Sequence, residues 1–395
     1  MRLFRACAIR GLAFACVALP APAVALAAQD TFDMSVELGN GYTDNVRYIG
    51  PDPVSDQYRV VRLNLPYVRR TPSQRLRLGY RPAYVRYSDT DVLDHDEHRL
   101  EFDLDTRPSR KSRLRSRAGF TRTQMRGTPE SATDPDLFLT RRSDTDLLLF
   151  NVALQREVSA RWSWEATLGG SAQLYKPISG VEGSGSDVED RKQYSGGMHV
   201  SRTVSRTSSV GLRYGFQRFD LEDSGEEDAH QFEATYEKRL AERMSLLTAL
   251  GGFQAEGEGA DGRRTGTSAQ VTLSHRYETL QLDLSASHAP SAGGALRGTA
   301  TQTRVGLALS SLGGRQRWRW LAAPYYGRRE SSAAGRQAID AVGIRAELER
   351  RFAWRYGVRL GTHWFDQTDR DSVFSGNASF LWYPLGARPI GGRSG

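Results

Sequence analysis

Cysteine is nearly absent from this chain, with two residues in 395, Cys7 and Cys16. Both fall inside a segment that reads as a leader, so the rest of the chain can form no disulfide and no thiolate metal site. Long apolar runs are missing as well. Nothing after the leader is long enough to cross a bilayer as a helix, and the mean hydropathy is −0.53, which excludes a helical membrane protein. Histidine is sparse, at 7 residues, and scattered. There is no G-x-S-x-G elbow, no H-E-x-x-H and no phosphate loop. No catalytic residue, metal site, cofactor or nucleic-acid partner is therefore expected, and the chain does not read as an enzyme. Two weak exceptions exist. His95 and His98 share an acidic stretch that could hold a metal ion. His275 and His288, with serines nearby, are the only hint of an outer-wall hydrolase.

What is present begins with that leader. Arg2, Arg5 and Arg10 form a positive start, Gly11 to Leu19 a short apolar core, and Ala25-Leu26-Ala27 a small-residue cleavage site. Pro20 and Pro22 break the run, so residues 1–27 read as a cleaved signal peptide rather than a spanning helix. Ala13-Phe14-Ala15 before Cys16 makes a poor lipoprotein box. The formal charge of +8 becomes +5 once the three leader arginines are removed.

From Thr31 onward apolar and polar residues alternate with period two in segments of about ten residues. Phe32, Met34, Val36 and Leu38 form one such series. Leu100, Phe102 and Leu104 form another, as do Trp162, Trp164, Ala166 and Leu168, and Val210, Leu212, Tyr214 and Phe216. Leu280, Leu282 and Leu284, then Trp354, Tyr356, Val358 and Leu360, then Phe374, Ala378, Phe380 and Trp382, continue it. About eighteen segments follow one another without a helical stretch. Their connections alternate short (69–74, 107–112, 156–160, 203–207) with long (43–56, 88–97, 124–141, 176–191, 220–228). Such alternation predicts an all-β, up-and-down antiparallel transmembrane barrel over 28–383, with a periplasmic tail over 384–395. Short turns then face the periplasm and long loops the outside.

The apolar series should face lipid and the polar series the lumen. Trp162, Trp164, Trp318, Trp320, Trp354 and Tyr356 each follow a short turn, the position of an interfacial aromatic girdle. Arg77, Arg115, Arg117, Arg213, Arg304, Arg319, Arg345 and Arg359 fall on the lumen parity, and the last four sit on consecutive strands. Two readings stay open for them. They pair with acids such as Glu37, Glu101, Asp103, Glu165, Glu233 and Asp283 and hold the barrel open, or they form a basic stripe that guides an anionic solute. Two acidic groups, Asp89, Asp91, Asp94, Asp96 and Glu97, and Glu222, Asp223, Glu226, Glu227 and Asp228, read as solvated loops or as divalent-cation bridges to lipopolysaccharide.

The series Val36-Glu37-Leu38-Gly39-Asn40-Gly41-Tyr42-Thr43-Asp44-Asn45-Val46 ends an early strand on Tyr-x-x-Asn-Val before a polar first loop. In this it resembles the β-barrel porins encoded with exopolysaccharide biosynthesis genes in Gram-negative bacteria. The resemblance implies an outer-membrane channel or export component for an anionic or polar saccharide. Its expected partners are outer-membrane lipid and lipopolysaccharide, the barrel-assembly machinery and polysaccharide export proteins. The alternative is a plugged or structural barrel acting as an envelope scaffold. One departure is the tail Pro384 to Gly395, which follows Phe380, Trp382 and Tyr383 where such barrels end on an aromatic residue.

Overall fold

The computed structural model describes residues 29–45, 54–124, 144–176, 190–222, 225–257, 263–292, 299–312, 318–331, 338–352, 355–368 and 372–384. The leader, Trp354, most of the long connections and the tail beyond Pro384 lie outside the described residues. The strands are β1 (Gln29–Phe32), β2 (Ser35–Thr43), β3 (Asp56–Arg70), β4 (Gln74–Tyr87), β5 (His95–Ser109), β6 (Ser112–Gln124), β7 (Asp144–Glu157), β8 (Trp162–Lys176), β9 (Arg191–Thr203) and β10 (Ser208–Leu221). They continue as β11 (Gly225–Ala241), β12 (Met244–Gly257), β13 (Arg264–Arg276), β14 (Leu280–Ala292), β15 (Thr299–Ser311), β16 (Trp318–Ser331), β17 (Ala338–Arg351), β18 (Tyr356–Gln367) and β19 (Val373–Trp382). Among the described residues the only helical element is one 3₁₀ turn, Asp91–Leu93.

From β2 to β19 each strand pairs antiparallel with its sequence neighbour, β1 pairs with β3, and β19 pairs with β2, so the sheet closes on itself. β1 and β2 are two halves of one wall strand. Phe32 stands opposite Tyr67 and Ser35 opposite Asn64 in a single continuous register on β3. The break at Asp33–Met34 faces Leu65–Pro66, where the proline has no N–H to give the ladder; Asp33 instead donates to the Pro66 carbonyl at 3.0 Å. The nineteen strands therefore make eighteen wall positions, as the periodicity predicts. Closure leaves no free edge, which in a bilayer is the condition for satisfying every backbone group of a sheet.

The two faces separate by parity. On β18, Tyr356, Val358, Leu360, Thr362 and Trp364 point outward, while Arg359, His363, Phe365 and Gln367 point inward. Among the described residues, every alternating series read from the sequence keeps this outward parity. Leu168 at 66 %, Leu212 at 70 %, Phe232 at 63 % and Leu250 at 62 % exposure mark the middle of an apolar outer surface. Trp162, Trp318, Trp320, Tyr356 and Trp382 ring it at the end bearing the tight turns, and Trp164 is half-buried beside them. A second ring, Tyr42, Tyr84, Tyr194, Tyr326, Trp364 and Phe374, marks the other end. Tyr356 and Trp364 are eight residues apart on one strand. At ~3.4 Å per residue and a tilt of ~40° the two rings are separated by ~21 Å, close to the height of a barrel's lipid-facing band.

The inner face is covered differently at its two ends. Toward the long connections it carries apolar clusters: Phe219, Leu221, Ala229 and Ala255; Tyr325, Ala341, Phe365 and Val373; and Val60, Ala83, Val85 and Tyr87. The connection 88–94 folds onto the last of these, seating Leu93 at 1 % exposure. Asp56 accepts the N–H groups of Asp89 at 3.2 Å and Thr90 at 3.0 Å, and Asp94 accepts that of Tyr87 at 2.7 Å, which fixes the fold-over. Two glycines serve these inner aromatics. A Cβ on Gly41 would lie 2.2 Å from the Tyr58 ring, and one on Gly343 would lie 2.5 Å from the Tyr325 hydroxyl. Each ring lies against a bare neighbouring strand instead of projecting across the lumen.

Candidate functional site

The inner wall is where the sequence places its polar series, and its charges are organised in rows across the strands. The longest row begins near the tight turns. Arg351 on β17 donates to Glu349 at 3.0 Å, and Arg359 on β18 reaches the other oxygen of Glu349 at 3.1 Å. Arg359 also reaches Glu37 on β2 at 3.2 Å, passing over β19 and across the closing pair of strands. Glu37 accepts from Arg62 on β3 at 3.4 Å, and Arg62 approaches Glu97 on β5 at 3.7 Å. Glu97 finally meets His95 at 3.3 Å and the Thr123 hydroxyl at 3.1 Å. Because the strands tilt, this row climbs from the tight-turn end toward the long-loop end. Alternating signs at these distances satisfy each charge where water is partly excluded; Glu37 and Glu349 are both buried.

Each sequence-predicted lumen arginine lies on the inner parity. Arg345 pairs with Glu347 at 2.9 Å, and Arg359 with Glu37 and Glu349. Arg213 contacts Glu233 at 3.4 Å and Gln270 at 3.2 Å. Arg115 pairs with Glu165 at 2.7 Å, and Arg117 with Asp103 at 3.1 Å. Arg304 stands opposite Ser287 and Gly327, and Arg319 opposite Glu349 on the ladder. Arg77 is exposed to the lumen, opposite Asp103. The four consecutive-strand arginines thus share a wall, but that wall is not short of acids. Glu349 is the acid missed by sequence reasoning, although its spacing of two residues from Arg351 on one strand face was available. The second aromatic ring was missed for a similar reason: its members sit beside long connections rather than after short turns.

The acidic stretches also change character. β10 and β11 run to Leu221 and from Gly225, so Glu226, Glu227 and Asp228 belong to a strand and not to a loop. Gly225 opens β11 with a φ of 80°, a conformation that favours glycine. Asp228 is bound by Arg218 at 2.6 Å and Glu227 by Arg264 at 2.6 Å. Asp96 and Glu97 likewise lie in β5. His95 and His98 are both in β5 and three residues apart, which puts them on opposite faces; His98 meets the Tyr80 hydroxyl at 3.0 Å, outside the wall. They cannot share a metal ion, and no three metal-ligating side chains gather among the described residues. His275 stands opposite Leu282 while His288 stands opposite Ala269, six ladder positions away, or ~20 Å. They do not form a catalytic pair.

No protein-family profile matches the chain, and no curated protein matches it. Solved outer-membrane proteins resemble it in architecture. Pseudomonas aeruginosa OccK2 (OpdF), crystallised with glucuronate, is 15% identical, covers 90% of this chain and 98% of its own, and gives a TM-score of 0.43. Acinetobacter baumannii OccAB4 is 12% identical with the same coverage and TM-score. Pseudomonas aeruginosa OccK3 (OpdO) is 12% identical, covers 89% and 95%, and gives 0.44. Likeness at this level carries nothing about ligand or mechanism.

Proposed function

We propose that the protein is an outer-membrane channel for a polar or anionic saccharide, with its tight turns in the periplasm. One observation carries this reading: a closed eighteen-strand wall is apolar outside, between two aromatic rings, and charged inside. In water such an outer surface would be an aggregation liability; in a bilayer it is the solvated face. A barrel of this strand number is wide enough for an aqueous passage. The link to exopolysaccharide, and to the export partners named above, rests on the sequence resemblance near Tyr42-Thr43-Asp44-Asn45. Lipopolysaccharide and the barrel-assembly machinery are the partners that this location implies.

The test is conductance in planar bilayers, with reversal potentials measured at low ionic strength. An open channel conducts. Replacing Arg304, Arg319, Arg345 and Arg359 by Gln strips positive charge from beside Glu37, Glu347 and Glu349, so selectivity should move toward cations. Unchanged selectivity would reject these residues as pore-lining. A second reading is favoured by the length of the ion-pair row: the charges hold a scaffold barrel in shape. Folded protein with no conductance would select that reading.

A further inference from the structure

Positive charge on the inner wall is compensated unevenly. On β17 and β18 the arginines are answered by Glu347, Glu349 and Glu37. On β3 and β4, at the tight-turn end, they are not. Arg70 and Arg75 stand directly opposite each other on the ladder, and Arg77 is two residues along on the same face. All three are exposed. None forms an ion pair or a side-chain hydrogen bond among the described residues. The acids of the next strand are already engaged: Asp105 by Arg113 at 2.9 Å, and Asp103 by Arg117 at 3.1 Å. Two like charges directly across a strand pair repel and weaken the sheet. Nothing in the backbone there requires them, and a bound anion would relieve the repulsion. The opposite mouth has no counterpart among the described residues, since its inner face carries the apolar clusters.

We propose that Arg70, Arg75 and Arg77 form a binding site for a glycan carrying several carboxylates, at one mouth of the barrel. Calling this mouth periplasmic, and the site a capture point for transport, rests on the channel reading above; the binding itself does not. Each guanidinium is in water, where one ion pair gains little. An oligomer that meets one arginine presents its next carboxylates to the others at high effective concentration. The arginine stems start ~5 Å apart across the ladder and ~7 Å apart along it, within reach of successive sugars. Guanidinium forks take carboxylates two-pronged, which lysine could not do. A neutral saccharide or a single uronate gains none of this.

The experiment uses folded protein in detergent micelles, titrated calorimetrically with hexagalacturonate, galacturonate and maltohexaose. The hexamer should bind saturably and lose affinity with added salt, and the other two should not bind. R70Q/R75Q/R77Q should weaken the hexamer at least about tenfold, as expected for losing several tethered contacts. R86Q/R122Q/R218Q removes the same charge from exposed arginines at the other rim, where they pair with Asp94, Asp146 and Asp228, and should leave binding intact. Heat-modifiable gel mobility confirms that both variants are folded. Absent binding to the parent protein, equal binding by the first variant, or equal loss in the second would overturn the site. Binding without conductance would keep the site and refute the channel; conductance without binding would do the reverse.

Discussion

Placing arginine on the outer wall tests the assignment of faces most directly. Leu168 is the seventh of fifteen residues in β8, outward, and 66 % exposed. Its neighbours on the ladder are Val152 and Gly196, so little protein covers it. In a bilayer about two-thirds of the leucine side chain lies against hydrocarbon, worth ~1–2 kcal/mol of the ~1.5–3 kcal/mol for full transfer. Leu168→Ala should therefore cost ~1 kcal/mol, and Leu168→Arg ~2–4 kcal/mol, because a guanidinium must then sit near the midplane. Thr167, one residue earlier, faces the lumen opposite Ala153 and Gly197. Thr167→Arg places the same charge in water and should stay within ~1 kcal/mol. The assay is guanidinium-induced unfolding from lipid vesicles, followed by tryptophan emission. Equal costs for the two arginines would refute the lipid-facing assignment of this parity.

Other outcomes follow from the same geometry. Glu349→Gln removes the carboxylate shared by Arg351 and Arg359, and should destabilise the folded barrel by ~3 kcal/mol in the same assay; Glu349→Asp should recover part of that. Gly343→Ala forces the Tyr325 ring off the wall and away from His363, to which it is bound at 3.0 Å, at ~1–3 kcal/mol. A change below the error of the measurement would mean that the ring does not lie on the glycine. For orientation, Val92→Cys should react with an impermeant maleimide on intact cells and Ser205→Cys should not, each in a chain whose Cys7 and Cys16 are replaced by Ser. The reverse pattern would invert the barrel.

Parity was the legible part of this fold. Period two survives in sequence because one face meets hydrocarbon and the other water, so Val358 and Gly361 can be assigned without coordinates. Strand limits were less legible. The long connection read over 220–228 is mostly strand, because β10 runs on to Leu221 and β11 starts at Gly225. Asp228 and Glu227 look like loop acids until Arg218 on the adjacent β10 and Arg264 on β13, two strands away, are seen to hold them. The charged wall was legible only by half. The shared parity of Arg345 and Arg359 shows in the chain, but Glu37 lies 322 residues from Arg359 and no local pattern joins them.

That last contact bears on how the chain comes to be folded. Every neighbouring pair of wall strands but one is a hairpin, formed from adjacent sequence and free to zip as soon as both arms exist. β19 and β2 are the exception, since they bring the two ends of the chain together. Loop-closure entropy makes such a contact the slowest to form. Until it forms, the growing sheet carries two open edges that attract foreign strands. Glu37 and Arg359 sit on the two sides of this joint, so their ion pair does not exist in any partly zipped sheet. It is a latch that engages once, at the end of assembly, and a distance probe across it would time the moment when the wall becomes a ring.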